Sequence, residues 1–156
     1  MNAVEKVLSL LIEYDYKIAF AESVTGGGLS HELIKYPGAS NALAYSVVTY
    51  SKEAKRDFLK INETLFDVHG VVSKVISMEM ANQIKNISKA DIGVGITGNA
   101  GPTAQANSNV GEMWFSIAYQ GETYSYHIQF KEESREIVID NAIKAVYQML
   151  YKLLTK

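Results

Sequence analysis

The sequence predicts an α/β protein: a mixed β-sheet, mostly parallel, with a C-terminal antiparallel hairpin, enclosed between layers of helices. Three observations carry this expectation. Helix-spaced apolar segments alternate with short apolar runs from the N-terminus to Thr97, the pattern of strands joined by helical crossovers. Gln120-Gly121 then separates two strand-like runs at the spacing of a tight hairpin. A long helix-periodic segment, Ser134 to Leu154, follows the hairpin. Parallel neighbours require a crossover, so the first three strands should run mostly parallel and the last pair antiparallel.

In chain order, Val4, Val7, Leu8, Leu11 and Ile12 share one face of an amphipathic helix. Lys17 to Ala21 is a short apolar run suited to a strand covered on both faces. Gly26-Gly27-Gly28 opens a helix carrying Leu29, Leu33 and Ile34, which stops before Pro37-Gly38. Ala44 to Tyr50 reads as the second strand. Ser51 is placed to cap a helix through Leu59, with Glu53 in the first turn where the helix dipole favours a carboxylate. Ser73 is placed to cap another, in which Ile76, Met80, Ile84 and Ile87 share a face. Asp91 to Thr97 alternates Ile92, Val94 and Ile96 with Gly93 and Gly95, glycines that would let a helix pack closely. Val110 to Tyr119 and Glu122 to Phe130 form the hairpin, whose tyrosines suit a core or a subunit interface. His127 falls on the opposite face and is expected to be exposed. The last helix turns Val138, Ala142, Ala145, Val146, Met149 and Leu153 inward, with Glu132-Glu133 expected in its first turn.

Composition narrows the function. A length of 156 residues suits one domain, residues 1–156. With no cysteine, disulfides, thiolate nucleophiles, iron–sulfur ligation and cysteine-based zinc sites are excluded. Fifteen basic against seventeen acidic residues give a net charge of −2, which removes the electrostatic case for a nucleic-acid partner. No apolar run reaches the roughly 20 residues of a membrane span, and Met1 to Lys6 lacks the layout of a signal peptide, so the expected address is cytoplasmic. The three histidines, His31, His69 and His127, show no metal-binding spacing. No metal and no cofactor is expected.

The unusual residues cluster after the first three strands, where open α/β sheets bind ligands. Glu22-Ser23-Val24-Thr25-Gly26-Gly27 follows the first. Ser23 and Thr25 bring hydroxyls, and the helix start offers free N–H groups. The spacing is neither a Walker motif nor a dinucleotide fingerprint, and the same residues also suit a plain strand-to-helix turn capped by Thr25. In the second loop Lys55 lies about one turn inside the helix capped at Ser51, so its amine can reach back toward Tyr50. Shielded from water, such a lysine has a lowered pKa and can act as a base, as in serine–lysine pairs; the alternative is a solvated lysine among Lys52, Arg56 and Lys60. In the third loop Gly98 and Gly101 permit conformations closed to other residues, and Thr97 sets a hydroxyl at the strand tip.

These segments resemble the CinA C-terminal domain family, which includes competence- and damage-inducible proteins and the stand-alone nicotinamide mononucleotide deamidases. The resemblance rests on Ala21-Glu22-Ser23 with Thr25-Gly26-Gly27, Pro37-Gly38-Ala39-Ser40, Val48-Thr49-Tyr50-Ser51 with Glu53-Ala54-Lys55, Thr64-Leu65 with His69-Gly70-Val71-Val72-Ser73, Thr97-Gly98 with Ala100-Gly101-Pro102, and Val110-Gly111 with Trp114-Phe115. It implies a three-layer α/β/α sandwich. It also implies an amidohydrolase that converts nicotinamide mononucleotide to nicotinate mononucleotide and ammonia in pyridine nucleotide salvage. The implied nucleophile is Ser23, with Lys55 and Tyr50 as its catalytic companions. Lys55 would activate Ser23 directly or through Tyr50, and N–H groups from Thr25 to Gly27 would form an oxyanion hole or hold the phosphate. Thr25, Gly26, Gly27, Ser40, Thr97, Gly98, Gly101 and Arg135 are the implied substrate contacts. A homo-oligomer, a dimer or higher, is expected, with the hairpin tyrosines offering apolar surface.

The sequence departs from that family at five places. Val24 stands where cysteine is common. Thr103 to Gly111 replaces a glycine-rich segment ending in Lys-Pro-Val-Gly, and Asn99 replaces an apolar residue. Before Arg135 the usual glycine is lost, and Ile139 occupies the place of a second arginine. A nucleotide-binding or regulatory relative that has lost turnover, and a partner domain for a separate molybdopterin-binding-like protein, are the alternative readings.

Overall fold

The computed structural model describes residues 1–131 and 133–156. Helix α1, Ala3–Tyr14, starts at Asn2, whose side chain accepts from Glu5 N at 2.9 Å while the Glu5 carboxylate accepts from Asn2 N at 3.3 Å. This reciprocal cap satisfies two of the helix's otherwise unpaired donors. Strand β1, Ile18–Glu22, is buried along its whole length. It leads through the glycine turn into α2, Gly28–Ile34, then a single 3-10 turn, Ala39–Asn41, and β2, Leu43–Val48. Helices α3, Lys52–Leu59, α4, Glu63–His69, and α5, Lys74–Ser88, carry the chain back to β3, Ile92–Gly98. The hairpin β4, Glu112–Tyr119, and β5, Glu122–Gln129, precedes α6, Arg135–Leu154.

The five strands lie in the order β2-β1-β3-β4-β5. β1 pairs parallel with β2 and with β3, whereas β3–β4 and β4–β5 are antiparallel. The predicted mixed sheet is therefore present. Alternation along β1 divides the core: Ile18 and Phe20 face the layer of α1, α2 and α6, while Ala19 and Ala21 face α3, α4 and α5. Gly93 and Gly95 face the same side as those alanines. A methyl group at Gly95 would stand 2.5 Å from Ala81 N and Met80 Cβ, so α5 lies directly on the backbone of β3. Farther along that face a chain of hydroxyls links the buried Ser77 and Ser116 to the half-buried Ser125, at 2.7 and 2.8 Å.

Several expectations are corrected. Helix α4 is absent from the sequence reading; Asn62 caps it, accepting from Thr64 N at 3.0 Å, and Phe66 is buried beneath it. α6 begins at Arg135 with Ser134 as its cap, so Glu133 precedes the helix, while Glu132 lies outside the described residues. Ile12 and Ile34 are exposed despite their helical spacing. The inward face of α6 also includes Tyr147, fully buried, whose hydroxyl donates to Leu29 O in α2. The hairpin tyrosines Tyr124 and Tyr126 are half-buried and pack against the core, one of the two placements expected of them. His127 is exposed as expected, stacked on Trp114 and paired with Glu112 at 2.9 Å.

Candidate active site

Because β1 lies between β2 and β3, the chain leaves it in one direction and returns on the other side. The crevice at that reversal, beyond the carboxyl ends of β1 and β3, is the ligand position of open α/β sheets. A cavity of about 500 Å³ opens there. Ser23 follows β1, Thr97 and Gly98 end β3 with Asn99 just after, Tyr50 and Ser51 come from the β2–α3 connection, and Lys52, Glu53 and Lys55 from α3; Arg135 at the start of α6 completes the rim.

Lys55 is one of the largest fully buried side chains, 1% exposed. α3 presents it because Ser51 fixes the helix start, accepting from Ala54 N at 3.0 Å. The lysine Cβ leans toward that N-terminus and carries the amine into the cavity. Its Nζ donates to Ser23 Oγ at 2.9 Å and to Thr49 O at 2.7 Å. Burial penalises the ammonium form and lowers the Lys55 pKa from its usual 10.5 to about 8. Lys52, Arg56 and Lys60 stay at the surface. The structure thus brings a hydroxyl and a base of nearly neutral pKa to hydrogen-bond distance, the arrangement of an activated nucleophile.

The glycine turn does something other than the sequence suggested. Glu22, fully buried at the end of β1, turns its carboxylate into the start of α2. It accepts from Thr25 Oγ1 at 2.6 Å, Gly27 N at 3.2 Å and Leu29 N at 2.9 Å on one oxygen. The other accepts from Ser30 N and Ser30 Oγ, both at 3.2 Å, and from Ser46 Oγ at 3.4 Å. A free helix N-terminus attracts an anion, and here the protein's own carboxylate fills it. Thr25, Gly26 and Gly27 therefore do not line the cavity, and the Gly27 N–H is not directed at a ligand. Glu22 sits in the quoted motif without an assigned role; a carboxylate between a buried strand and a glycine turn was the available signal.

The other candidates divide. Thr97 is buried in the cavity wall, its hydroxyl donating to Val71 O at 3.0 Å. Gly98 lies in the wall beside it. Tyr50 is 60% exposed at the mouth, and its hydroxyl accepts from Arg135 Nη2 at 3.5 Å; among the described residues no hydrogen bond joins it to Ser23 or Lys55. Gly101 lies outside the lining but holds Arg135, whose Nη1 donates to the Gly101 carbonyl. Ser40 is apart from the rest, in a shallow depression with Tyr36, Ala39 and Leu43. Ile139 packs against the core and does not reach the cavity.

Comparison with known proteins agrees with this architecture. Residues 1–154 match the CinA C-terminal domain. A putative competence-damage inducible protein of Lysinibacillus sphaericus is 37% identical over 152 residues, 96% of this chain and 36% of that protein. A CinA-like protein of Shewanella halifaxensis is 34% identical over 151 residues, with the same two shares. The chain thus spans about 36% of the length of these curated relatives. The crystal structure of a CinA superfamily protein from Klebsiella pneumoniae superposes with a TM-score of 0.93 at 30% identity, covering 99% of both chains. A competence or damage-inducible protein from Enterobacter asburiae gives 0.94 at 28% identity, over 97% of this chain and 96% of that one. Matched along nearly its whole length in sequence and in fold, the chain belongs to the CinA C-terminal domain family.

Proposed function

We propose that this protein is an amidohydrolase that converts nicotinamide mononucleotide to nicotinate mononucleotide and ammonia. The observation that carries the reading is the buried Ser23–Lys55 pair, 2.9 Å apart, in the wall of the cavity. With Lys55 neutral, its lone pair takes the Ser23 hydroxyl proton as Oγ attacks the carboxamide carbon. The resulting ammonium returns that proton to the amide nitrogen, the C–N bond breaks, and ammonia leaves an ester on Ser23. A water molecule, deprotonated by the same amine, cleaves the ester and restores Ser23. Atoms and protons balance: one amide and one water give one acid and one ammonia.

The charged rim supports the nucleotide half of the reading. Arg135, steadied by Gly101 O and the Tyr50 hydroxyl, and Lys52 at the start of α3 both line the cavity, and a guanidinium suits a phosphate. Thr97 and Gly98 line the same cavity as Ser23. The test is ammonia release from nicotinamide mononucleotide by wild type, Ser23→Ala and Lys55→Ala. Release by wild type and its loss in both variants supports the assignment. No ammonia from the wild type overturns it.

A further inference from the structure

Residues 102–110 contain no glycine and lie almost wholly exposed, yet Thr103, Ala104 and Gln105 form one wall of the cavity. None of these nine residues is itself buried. Glu112 Oε1 accepts from Asn109 N at 3.0 Å and Gln129 Nε2 donates to Val110 O at 2.7 Å, but the stretch before them is held by the side chain of Asn99, just after β3 and only 5% exposed. Its Nδ2 donates to Ser108 Oγ at 2.8 Å and to Asn109 O at 2.9 Å, and its Oδ1 accepts from Gln105 N at 3.1 Å. Its backbone also closes the loop base, with Asn99 N donating to Glu112 O at 2.9 Å and Gly111 N to Asn99 O at 2.8 Å. Among the described residues, no other side chain from outside the loop bonds residues 102–108.

We propose that Asn99 is the positioning residue of this wall, its carboxamide holding the loop in the shape that selects the substrate; the selection role rests on the amidase reading. The requirement is for two donors and one acceptor on one short planar group, which only asparagine supplies at this length. An apolar residue, as the family resemblance leads one to expect here, satisfies none of the three partners. Aspartate keeps the acceptor for Gln105 N and loses both donors. The amide thus does for a loop without glycines what backbone freedom does for a glycine-rich one. Ser23, just after β1, and Lys55, in α3, stand apart from the loop, so the clamp acts on fit and not on the bond-making step.

The experiment measures hydrogen exchange across residues 100–110 without substrate, together with KM and kcat for nicotinamide mononucleotide, in wild type, Asn99→Ala and Asn99→Asp. Losing a buried amide's hydrogen bonds should speed loop exchange and raise KM, each by about tenfold in Asn99→Ala and less in Asn99→Asp, with kcat within about threefold. Should Asn99→Ala fail to fold, Ser108→Ala removes one clamp partner at the rim and should loosen the same segment. Wild-type exchange in every variant overturns the clamp, as does a fall in kcat with KM unchanged. Wild-type protein that releases no ammonia overturns the amidase reading and with it the selection role, while loop exchange still decides the clamp.

Discussion

Lys55 Nζ is bound to the carbonyl oxygen of Thr49 at 2.7 Å, and that bond fixes where the rest of its valence points. An amine held by one donated hydrogen, with Ser23 Oγ 2.9 Å away, directs its lone pair at the hydroxyl once it loses a proton. The carbonyl therefore orients the base, while burial lowers its pKa.

The first consequence is a pH profile. Activity requires neutral Lys55, so kcat/KM should climb with pH and reach half its plateau near 8. Lys55→Arg should not restore activity, because a guanidinium stays protonated throughout. Initial rates between pH 6 and 9.5 decide the matter; a flat or falling profile contradicts the assignment.

The same burial costs stability. Lys55 has a folded pKa of about 8 against 10.5 in the unfolded chain, so the unfolded chain binds more protons between those values. Stability attributable to this group rises with pH across that window, and below about 8 the full penalty applies. A shift of this size corresponds to about 3 kcal/mol, so Lys55→Met should be more stable than wild type at pH 7 by up to that amount. The gap should narrow toward pH 10.5. Urea unfolding of both proteins at the two pH values measures it.

Glu22→Gln keeps the shape and half the acceptors at the α2 start, but sets an amide NH2 against N–H and hydroxyl donors. A cost of about 2–3 kcal/mol is expected, from the loss of hydrogen bonds to a charged group. Denaturant midpoints at pH 7 test this; an unchanged midpoint would mean that the carboxylate is not the anchor of that turn.

Gly95→Ala probes the contact between α5 and β3. A methyl group 2.5 Å from Ala81 N and Met80 Cβ forces the helix outward, at about 1–3 kcal/mol for overpacking. Thermal melts of Gly95→Ala against wild type measure the cost; an unchanged midpoint would mean that the helix gives way freely there.

Much of this was legible in the sequence, for physical reasons. Periodicity marks any element that buries one face, so α1, α5, α6 and the hairpin follow from their apolar spacing. Ser51 and Ser73 are read as caps because a hydroxyl before a helix has few other uses, and both accept the expected bonds. Helix α4 has seven residues and buries only Phe66, too little apolar periodicity to stand out from a loop. At the site, convergence of three loops followed from strand ends; helix geometry allowed Lys55 to reach inward but equally allowed a solvated side chain, and its burial decides between them. What stayed hidden was competition for the same donors. A sequence shows that Gly27 can offer an N–H, but not that Glu22, five residues earlier, already accepts it. Asn99 is the parallel case: its change of residue type is visible, its three partners are not.

The carboxylate seated at the start of α2 has a broader implication. A helix terminus that folds with its own counter-ion in place is closed to recruitment by an incoming phosphate, whatever the cargo. On the proposed reading, discrimination among ligands falls instead to the cavity lining, including the exposed residues strung between β3 and β4. The frame around the nucleophile can then stay constant while that side is rewritten, so two proteins that share this scaffold need not share a substrate.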